Sequence, residues 1–199
     1  DMRRFCVSLE ACREGLAPLA EFAKRFHLFL LGVSHMDLAW KWRWEESVLC
    51  MQGTLANQVG FMEERADFTF LESSPPVWYA LKERDPALFA SLAAFAERGQ
   101  FEPAGGMWCE PDGQMLGSES WVRQALFGQR AAEDVCGVRS RAGHNTDAFG
   151  FTWALPKIYA GAGMEAFLTQ KMRYNEFTVF EEVLFWWESD DGTRLLGIH

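Results

Sequence analysis

Short apolar runs alternate with segments of helical periodicity along most of the chain. Seven runs predict strands, at residues 28–33, 68–71, 101–106, 139–143, 166–168, 183–187 and 195–198. Between them, apolar positions spaced three and four residues apart predict helices at residues 8–26, 48–64, 86–98, 118–136 and 155–163, and one more begins at Pro75. The polar, aromatic segment that follows Ser34 and His35 is also expected to be helical.

This alternation of strands and helices decides the predicted fold class. It is typical of an α/β fold with a mainly parallel sheet and βα repeats. The segment 8–26 precedes the first strand and contains Pro18, which kinks or breaks a helix. We therefore expect a helical lead-in over residues 1–26 and the N-terminal portion of an α/β domain over residues 27–199.

Polar side chains follow the predicted strands at their carboxyl ends, where parallel α/β folds bind ligands. The first strand leads to His35 and Asp37, which point to the same side of an extended backbone and can share one ion. A metal-free alternative stays open, in which the histidine caps the strand and the aspartate accepts N–H groups at a helix N-terminus. Later strand ends carry Glu72, Glu110, Asp112, His144 and Asp147.

These side chains would converge on one face if the sheet curves into a barrel. An imidazole with two carboxylates suits a zinc ion that keeps one coordination position open, as a catalytic site requires. From these residues alone, the sequence supports a parallel α/β hydrolase and no narrower class.

Three tryptophans and two glutamates lie just after His35, namely Trp40, Trp42, Trp44, Glu45 and Glu46. Aromatic faces beside carboxylates suit a sugar ring, which presents C–H patches and hydroxyl groups. Core packing is the alternative, and we prefer it for Trp42 and Trp44. Trp40 is therefore predicted at the rim of a sugar-binding cleft.

Composition narrows the choice of partner. The chain of 199 residues has a formal net charge of −9 and a pI near 5.0, which argues against nucleic acid or an anionic membrane surface. Its apolar runs fall short of the ~20 residues of a membrane span. The five cysteines are odd in number and scattered, which favours a reducing compartment such as the cytoplasm.

Four motifs resemble glycoside hydrolase family 38, the α-mannosidases, and its cytosolic and bacterial branch in particular. They are HMDLAW from His35 with the later Glu45 and Glu46, GGMWCEPDG from Gly105, NTDAFG from Asn145 with LPKI from Leu155, and LTQK from Leu168. The motifs occur in the family's order, and the resemblance covers residues 28 to about 198.

The resemblance implies a seven-stranded, barrel-like α/β glycosidase domain that contains Zn²⁺, or another divalent metal such as Co²⁺. It implies that His35, Asp37 and Asp147 bind the metal, and that Asp147 is also the nucleophile of a retaining reaction, which forms a mannosyl-enzyme intermediate. Among substrate-binding residues, Trp40 would stack on the sugar, Phe149 would pack against the metal site and Lys171 would lie near the nucleophile.

The resemblance also implies that the general acid and a further histidine ligand lie beyond residue 199. We therefore expect a parent α-mannosidase, monomeric or homo-oligomeric, that acts on α-mannoside oligosaccharides or small mannosides, and an inactive 199-residue chain. Two alternatives stay open. One is a metal-dependent polysaccharide deacetylase, for which we would expect a His-x-x-x-His pair that the sequence lacks. The other is a non-catalytic fragment that binds sugar or metal.

Overall fold

The structure is a computed structural model that describes residues 2–199. Its internal contacts divide the chain into two compact units, the first ending at Leu30 and the second running from Leu31 to His199. The division into residues 1–26 and 27–199 that the sequence suggested stays a prediction.

The first unit is helical and interrupted near its middle. Helix α1 spans Met2–Leu16, a short 3-10 helix spans Ala17–Leu19, and helix α2 spans Ala20–Ala23. Pro18 lies within the 3-10 segment, where its missing N–H group costs no α-helical hydrogen bond. The predicted break at Pro18 is therefore observed, and the helix begins earlier than the sequence pattern predicted.

The second unit alternates strands and helices. Its strands are β1 (Gly32–Val33), β2 (Phe70–Glu72), β3 (Phe101–Pro103), β4 (Ala142–His144), β5 (Ala166–Leu168), β6 (Leu184–Glu188) and β7 (Arg194–Ile198). Its helices are α3 (Trp44–Glu64), α4 (Pro75–Arg84), α5 (Pro86–Glu97), α6 (Ser118–Cys136) and α7 (Leu155–Gly161). Across residues 2–199, none of the helices combines the length and the apolar character that crossing a membrane requires.

The strands form two sheets, ordered β1-β2-β3 and β4-β5-β7-β6. Every strand pair in the described chain is parallel except β6 with β7, which form an antiparallel hairpin. The sheets meet just past β3, where the Gly105 N–H donates to the Ala142 carbonyl at 3.0 Å. The predicted mainly parallel α/β fold is confirmed.

Helices cover the sheets and enclose two apolar clusters. The first cluster joins α3, α4, α5 and α6 to β2 and β3, and the second joins α6 and α7 to β5 and β7. Helix α6 contributes to both, because it buries Trp121, Ala125 and Ala132 and leaves Arg123 and Arg130 exposed, as its sequence pattern predicted.

The first predicted strand is wrong over most of its length. Only Gly32 and Val33 pair with a neighbour, opposite Phe70 and Leu71 of β2. The apolar residues before them, 28–30, are at least 80% exposed and adopt no regular structure. An apolar run becomes a strand only where a neighbouring strand satisfies its backbone, and β2 pairs with these two residues alone.

The segment after His35 is a loop, so the expected helix there is also wrong until Trp44. Ala39 has a φ of 52°, in the left-handed region that a right-handed helix excludes. The indole N–H of Trp42 donates to the Asp37 carbonyl at 3.2 Å and to Ser47 Oγ at 2.9 Å. These bonds fix a loop conformation that places the residues after β1 at the strand end.

Candidate functional site

Three side chains from two strand ends converge on one point. His35 and Asp37 follow β1, and Asp147 follows β4. His35 Nε2 lies 3.6 Å from Asp37 Oδ1 and 3.5 Å from Asp147 Oδ2. One donor atom of each residue lies within 4.8 Å of the other two. The structure thus brings together the three side chains that the resemblance assigned to a metal.

The other ring nitrogen of His35 faces Glu110. Its Nδ1 lies 3.1 Å from Glu110 Oε2. This hydrogen bond, helped by the charges of Glu110, Asp147 and Asp37, outweighs burial and raises the pKa of His35 to about 9. The surroundings of the imidazole therefore favour a positive charge at this position.

Glu110 also contacts the segment that carries Asp147. Its Oε1 accepts hydrogen bonds from the Thr146 N–H at 3.0 Å and from the Thr146 hydroxyl at 3.2 Å. Burial works to raise the pKa of Glu110, but the hydrogen bonds from His35 and Thr146 outweigh it and leave the pKa below its usual value. The sequence placed Glu110 at a strand end without assigning its partners, and its place in the third strand's motif was the available signal.

The loops that carry Glu110 and Asp147 pack directly on each other. The side-chain amide of Asn145 donates to the Pro111 carbonyl at 2.9 Å. Farther along, Gly113 lies against the carbonyl of Gly150 so closely that no Cβ atom would fit. Gly150 itself has a φ of 128°, which favours glycine. Both loops are thus held by backbone contacts as well as by side chains.

Lys171 forms an ion pair with Asp147. Its Nζ lies 2.6 Å from Asp147 Oδ1, and that carboxylate raises the pKa of Lys171. The ammonium group also lies over the rings of Phe149 and Tyr174, 5.0 and 4.6 Å from their centroids. The two oxygens of Asp147 therefore have different neighbours, His35 for Oδ2 and Lys171 for Oδ1.

His35, Asp37, Glu110 and Asp147 line a cleft of about 470 Å³ with aromatic walls. Trp40 and Phe149 lie at the cleft and are 61% and 67% exposed. Trp44 also borders the cleft, but it is half-buried and packs against the first apolar cluster. The predicted position of Trp40 at the rim is observed, whereas Trp42 and Trp44 are both only half-buried, and Trp44 packs against the core without being part of it.

Glu72 lies at the end of β2 but points into the protein. The residue is 1% exposed. Its Oε2 accepts from the Ser74 N–H at 3.0 Å and from the buried indole N–H of Trp78. Burial raises the pKa of this carboxyl group. Glu72 therefore has a local set of partners and no contact with His35.

The remaining strand-end residues also stay outside the group of three. Asp112 is exposed and caps a turn, where Oδ1 accepts from the N–H groups of Gln114 and Met115, both at 2.8 Å. His144 is buried, which lowers its pKa, and its Nδ1 lies 3.0 Å from Ser73 Oγ. Glu110 Oε1 is 4.0 Å away from the same nitrogen.

Comparison with known families decides the assignment. The family model for the glycosyl hydrolases family 38 N-terminal domain matches residues 25–199. The chain belongs to glycosyl hydrolase family 38. The membership of family 38 that the four motifs predicted is thereby confirmed.

Two curated relatives of the chain are α-mannosidases by name. Alpha-mannosidase 2C1 from Mus musculus is 38% identical over 166 residues, which cover 83% of this chain and 16% of that protein. Alpha-mannosidase G from Dictyostelium discoideum is 30% identical over 196 residues, covering 98% of this chain and 18% of that protein. The chain thus spans less than a fifth of the length of these relatives.

A solved structure supports the fold. The crystal structure of an alpha-mannosidase from Enterococcus faecalis V583 superposes with a TM-score of 0.72 at 19% identity, covering 84% of this chain and 19% of that one. At this identity the likeness concerns the fold alone. It confirms the mainly parallel α/β fold.

Proposed function

We propose that the full-length protein is a zinc-dependent retaining α-mannosidase with Asp147 as its nucleophile. The observation that carries the proposal is the convergence of His35, Asp37 and Asp147 beside an aromatic-walled cleft. Family membership and the names of the two relatives support hydrolysis of α-mannosides.

The residues present fit a divalent metal. Imidazole nitrogen and carboxylate oxygen are ligands that zinc accepts, and three protein ligands leave a position for substrate. The carboxylates of Glu110, Asp147 and Asp37, which raise the pKa of His35 to about 9, would also attract a metal cation, which would bind in competition with a proton. When bound, zinc supplies Lewis-acid stabilisation and a fixed point for sugar hydroxyl groups.

Three side chains in and beside the cleft would carry out nucleophilic attack, orientation of the nucleophile and sugar binding. The Asp147 carboxylate would attack the anomeric carbon while the bond to the leaving oxygen breaks. Lys171, paired with Oδ1, would hold the orientation of this carboxylate. Trp40 offers an exposed indole face at the rim, on which the sugar ring can stack.

A retaining mechanism also needs a general acid about 5 Å from the nucleophile. Glu110 does not suit this role, because both of its oxygens already contact His35 and Thr146. Glu72 is turned away from the cleft towards Trp78. We therefore assign the general acid to neither of these glutamates.

The acidic chain suits a neutral glycan as its substrate. A cytoplasmic location remains part of the proposal, supported by five cysteines that are all free in the structure. Whether the protein forms homo-oligomers stays a prediction without a structural test.

Hydrolysis of an aryl α-mannoside by the full-length protein tests the proposal. We expect turnover that a chelator abolishes and added zinc restores, with retention of the anomeric configuration in the first product detected by NMR. Asp190→Asn serves as a control, because this exposed residue pairs with Lys157 away from the cleft. An inverted product, or full activity in the chelated protein, would overturn the proposal.

A further inference from the structure

We infer that Glu110 is a positioning residue that connects the two loops of the candidate metal site and selects the nitrogen that His35 presents to a metal. The inference rests on the proposed function and deepens it, because no role for Glu110 follows from the nucleophile or the three ligands. It is carried by the partners of each carboxylate oxygen.

Oε2 of Glu110 determines which nitrogen of the His35 imidazole carries the proton. A neutral histidine has one N–H donor and one acceptor nitrogen. Because Glu110 Oε2 lies 3.1 Å from His35 Nδ1 and can only accept, the proton is held on Nδ1. The acceptor nitrogen is then Nε2, the atom that faces Asp37 and Asp147. Carboxylates that orient metal-binding histidines in this way raise metal affinity.

The second oxygen determines where the nucleophile's loop lies. Oε1 accepts two hydrogen bonds from Thr146, one from the backbone N–H and one from the hydroxyl, immediately before Asp147. His35 follows β1 and Asp147 follows β4, and these strands belong to different sheets. A single carboxylate therefore sets the distance between ligands that no backbone pairing of β1 with β4 controls.

The burial of Glu110 makes the loss of its carboxylate measurable at the site. The Glu110 side chain is 19% exposed, so water does not readily replace a lost partner. The amide of Asn145 on Pro111 and the packing of Gly113 on Gly150 hold the same two loops. Removal of the carboxylate should therefore loosen the site without unfolding the loops.

A glutamine at this position separates the two roles of Glu110. Its amide oxygen can keep both hydrogen bonds from Thr146, but its NH₂ group then faces His35 Nδ1. That nitrogen must accept, so the proton moves to Nε2 and blocks it as a ligand. The opposite orientation of the amide keeps the bond to His35 Nδ1 but places NH₂ against the Thr146 N–H, so that two donors face each other and the backbone bond is lost.

The experiment measures zinc affinity in the full-length protein by competition with a chromophoric chelator. We expect Glu110→Gln and Glu110→Ala to lower the affinity about 10–100-fold. Glu72→Gln is the matched control, because it neutralises a buried carboxylate at the next strand end that has no contact with His35. This control should bind zinc like the wild type.

Amide hydrogen exchange at Thr146 in the metal-free protein is the second readout. Glu110→Ala should accelerate it about fivefold or more, because one hydrogen bond is lost, whereas Glu110→Gln should leave it near the wild-type rate. If the wild type binds no zinc, the proposed function fails, and exchange at Thr146 alone decides the role of Glu110. If the wild type binds zinc and both variants match it in affinity and exchange, this inference is wrong and the proposed function stands.

Discussion

Two glutamates at the ends of neighbouring strands have opposite environments. The side chain of Glu72, at the end of β2, points into the interior. It accepts hydrogen bonds from Ser74 and Trp78, which belong to the same segment of chain. Glu110 lies in the loop after β3 and contacts His35 and Thr146, which come from distant segments. A carboxylate satisfied by its own segment stabilises the fold, whereas one that contacts other loops can organise a site.

The largest expected difference between the cleft and the surroundings of Glu72 is in catalysis. Asp147→Asn in the full-length protein should reduce kcat/KM for an aryl α-mannoside by at least about 10³-fold, because it removes the carboxylate that we propose as the nucleophile. Glu72→Gln should change kcat/KM by less than about threefold, since the residue lies outside the cleft. Comparable losses in both variants would erase the contrast and would make Glu72 a candidate for the general acid.

Stability should show the reverse order. Glu72→Ala leaves the indole N–H of Trp78 and the Ser74 N–H without an acceptor, which should lower the free energy of unfolding by about 1–3 kcal/mol. Asp37→Ala, in the partly exposed cleft, should change it by less than about 0.5 kcal/mol in the absence of metal. Urea unfolding followed by tryptophan fluorescence measures both. A larger loss for Asp37→Ala would show that the cleft is part of the stabilising core.

The pH dependence of stability, compared between the wild type and Glu72→Gln, tests the environment of Glu72. Because burial raises the pKa of Glu72 in the folded protein above 4.5, its contribution to the free energy of unfolding is fully present below that pH. The contribution is lost as the pH rises through the folded-state pKa. Glu72→Gln should remove this loss and make the urea midpoint less dependent on pH. An unchanged pH profile would contradict a carboxyl group whose burial outweighs its hydrogen bonds.

The smallest effect is expected at the aromatic rim. Trp40→Ala should raise KM for the mannoside about threefold to tenfold through the loss of a stacking surface, with a stability change below about 0.5 kcal/mol. Trp186→Ala is the matched control, since Trp186 is 67% exposed on β6 and does not line the cleft. Equal KM values for Trp40→Ala and the wild type would exclude Trp40 from the sugar site.

The rule that parallel strands present their carboxyl ends at one edge gave seven candidate residues, and it did not separate His35, Asp37 and Asp147 from the other four. That choice came from the resemblance to family 38. The partners of Glu110 were not predictable, since contact with His35 depends on the relative height of two loops. Whether Glu72 points inward or outward depends on a shift of one residue in the strand.

The fold shows the same limit. The helical periodicity of α5 and α6 predicted both helices closely, because amphipathic spacing is a property of the segment itself. The loop before Trp44 was missed because the hydrogen bonds that fix it run from the indole N–H of Trp42 to the Asp37 carbonyl and to Ser47. The periodicity of the segment does not reveal these bonds. The first strand was overextended because strand length depends on the partner strand.

The contact between Gly113 and Gly150 has a consequence for the mutational tolerance of the protein. In a saturation library scored for growth or binding, position 113 should accept no residue other than glycine, because any Cβ atom would overlap the Gly150 carbonyl. Gly117, four positions later, has open space around it and should accept alanine. Two glycines of the same loop would thus have opposite substitution profiles, although neither carries a side chain that could take part in the reaction.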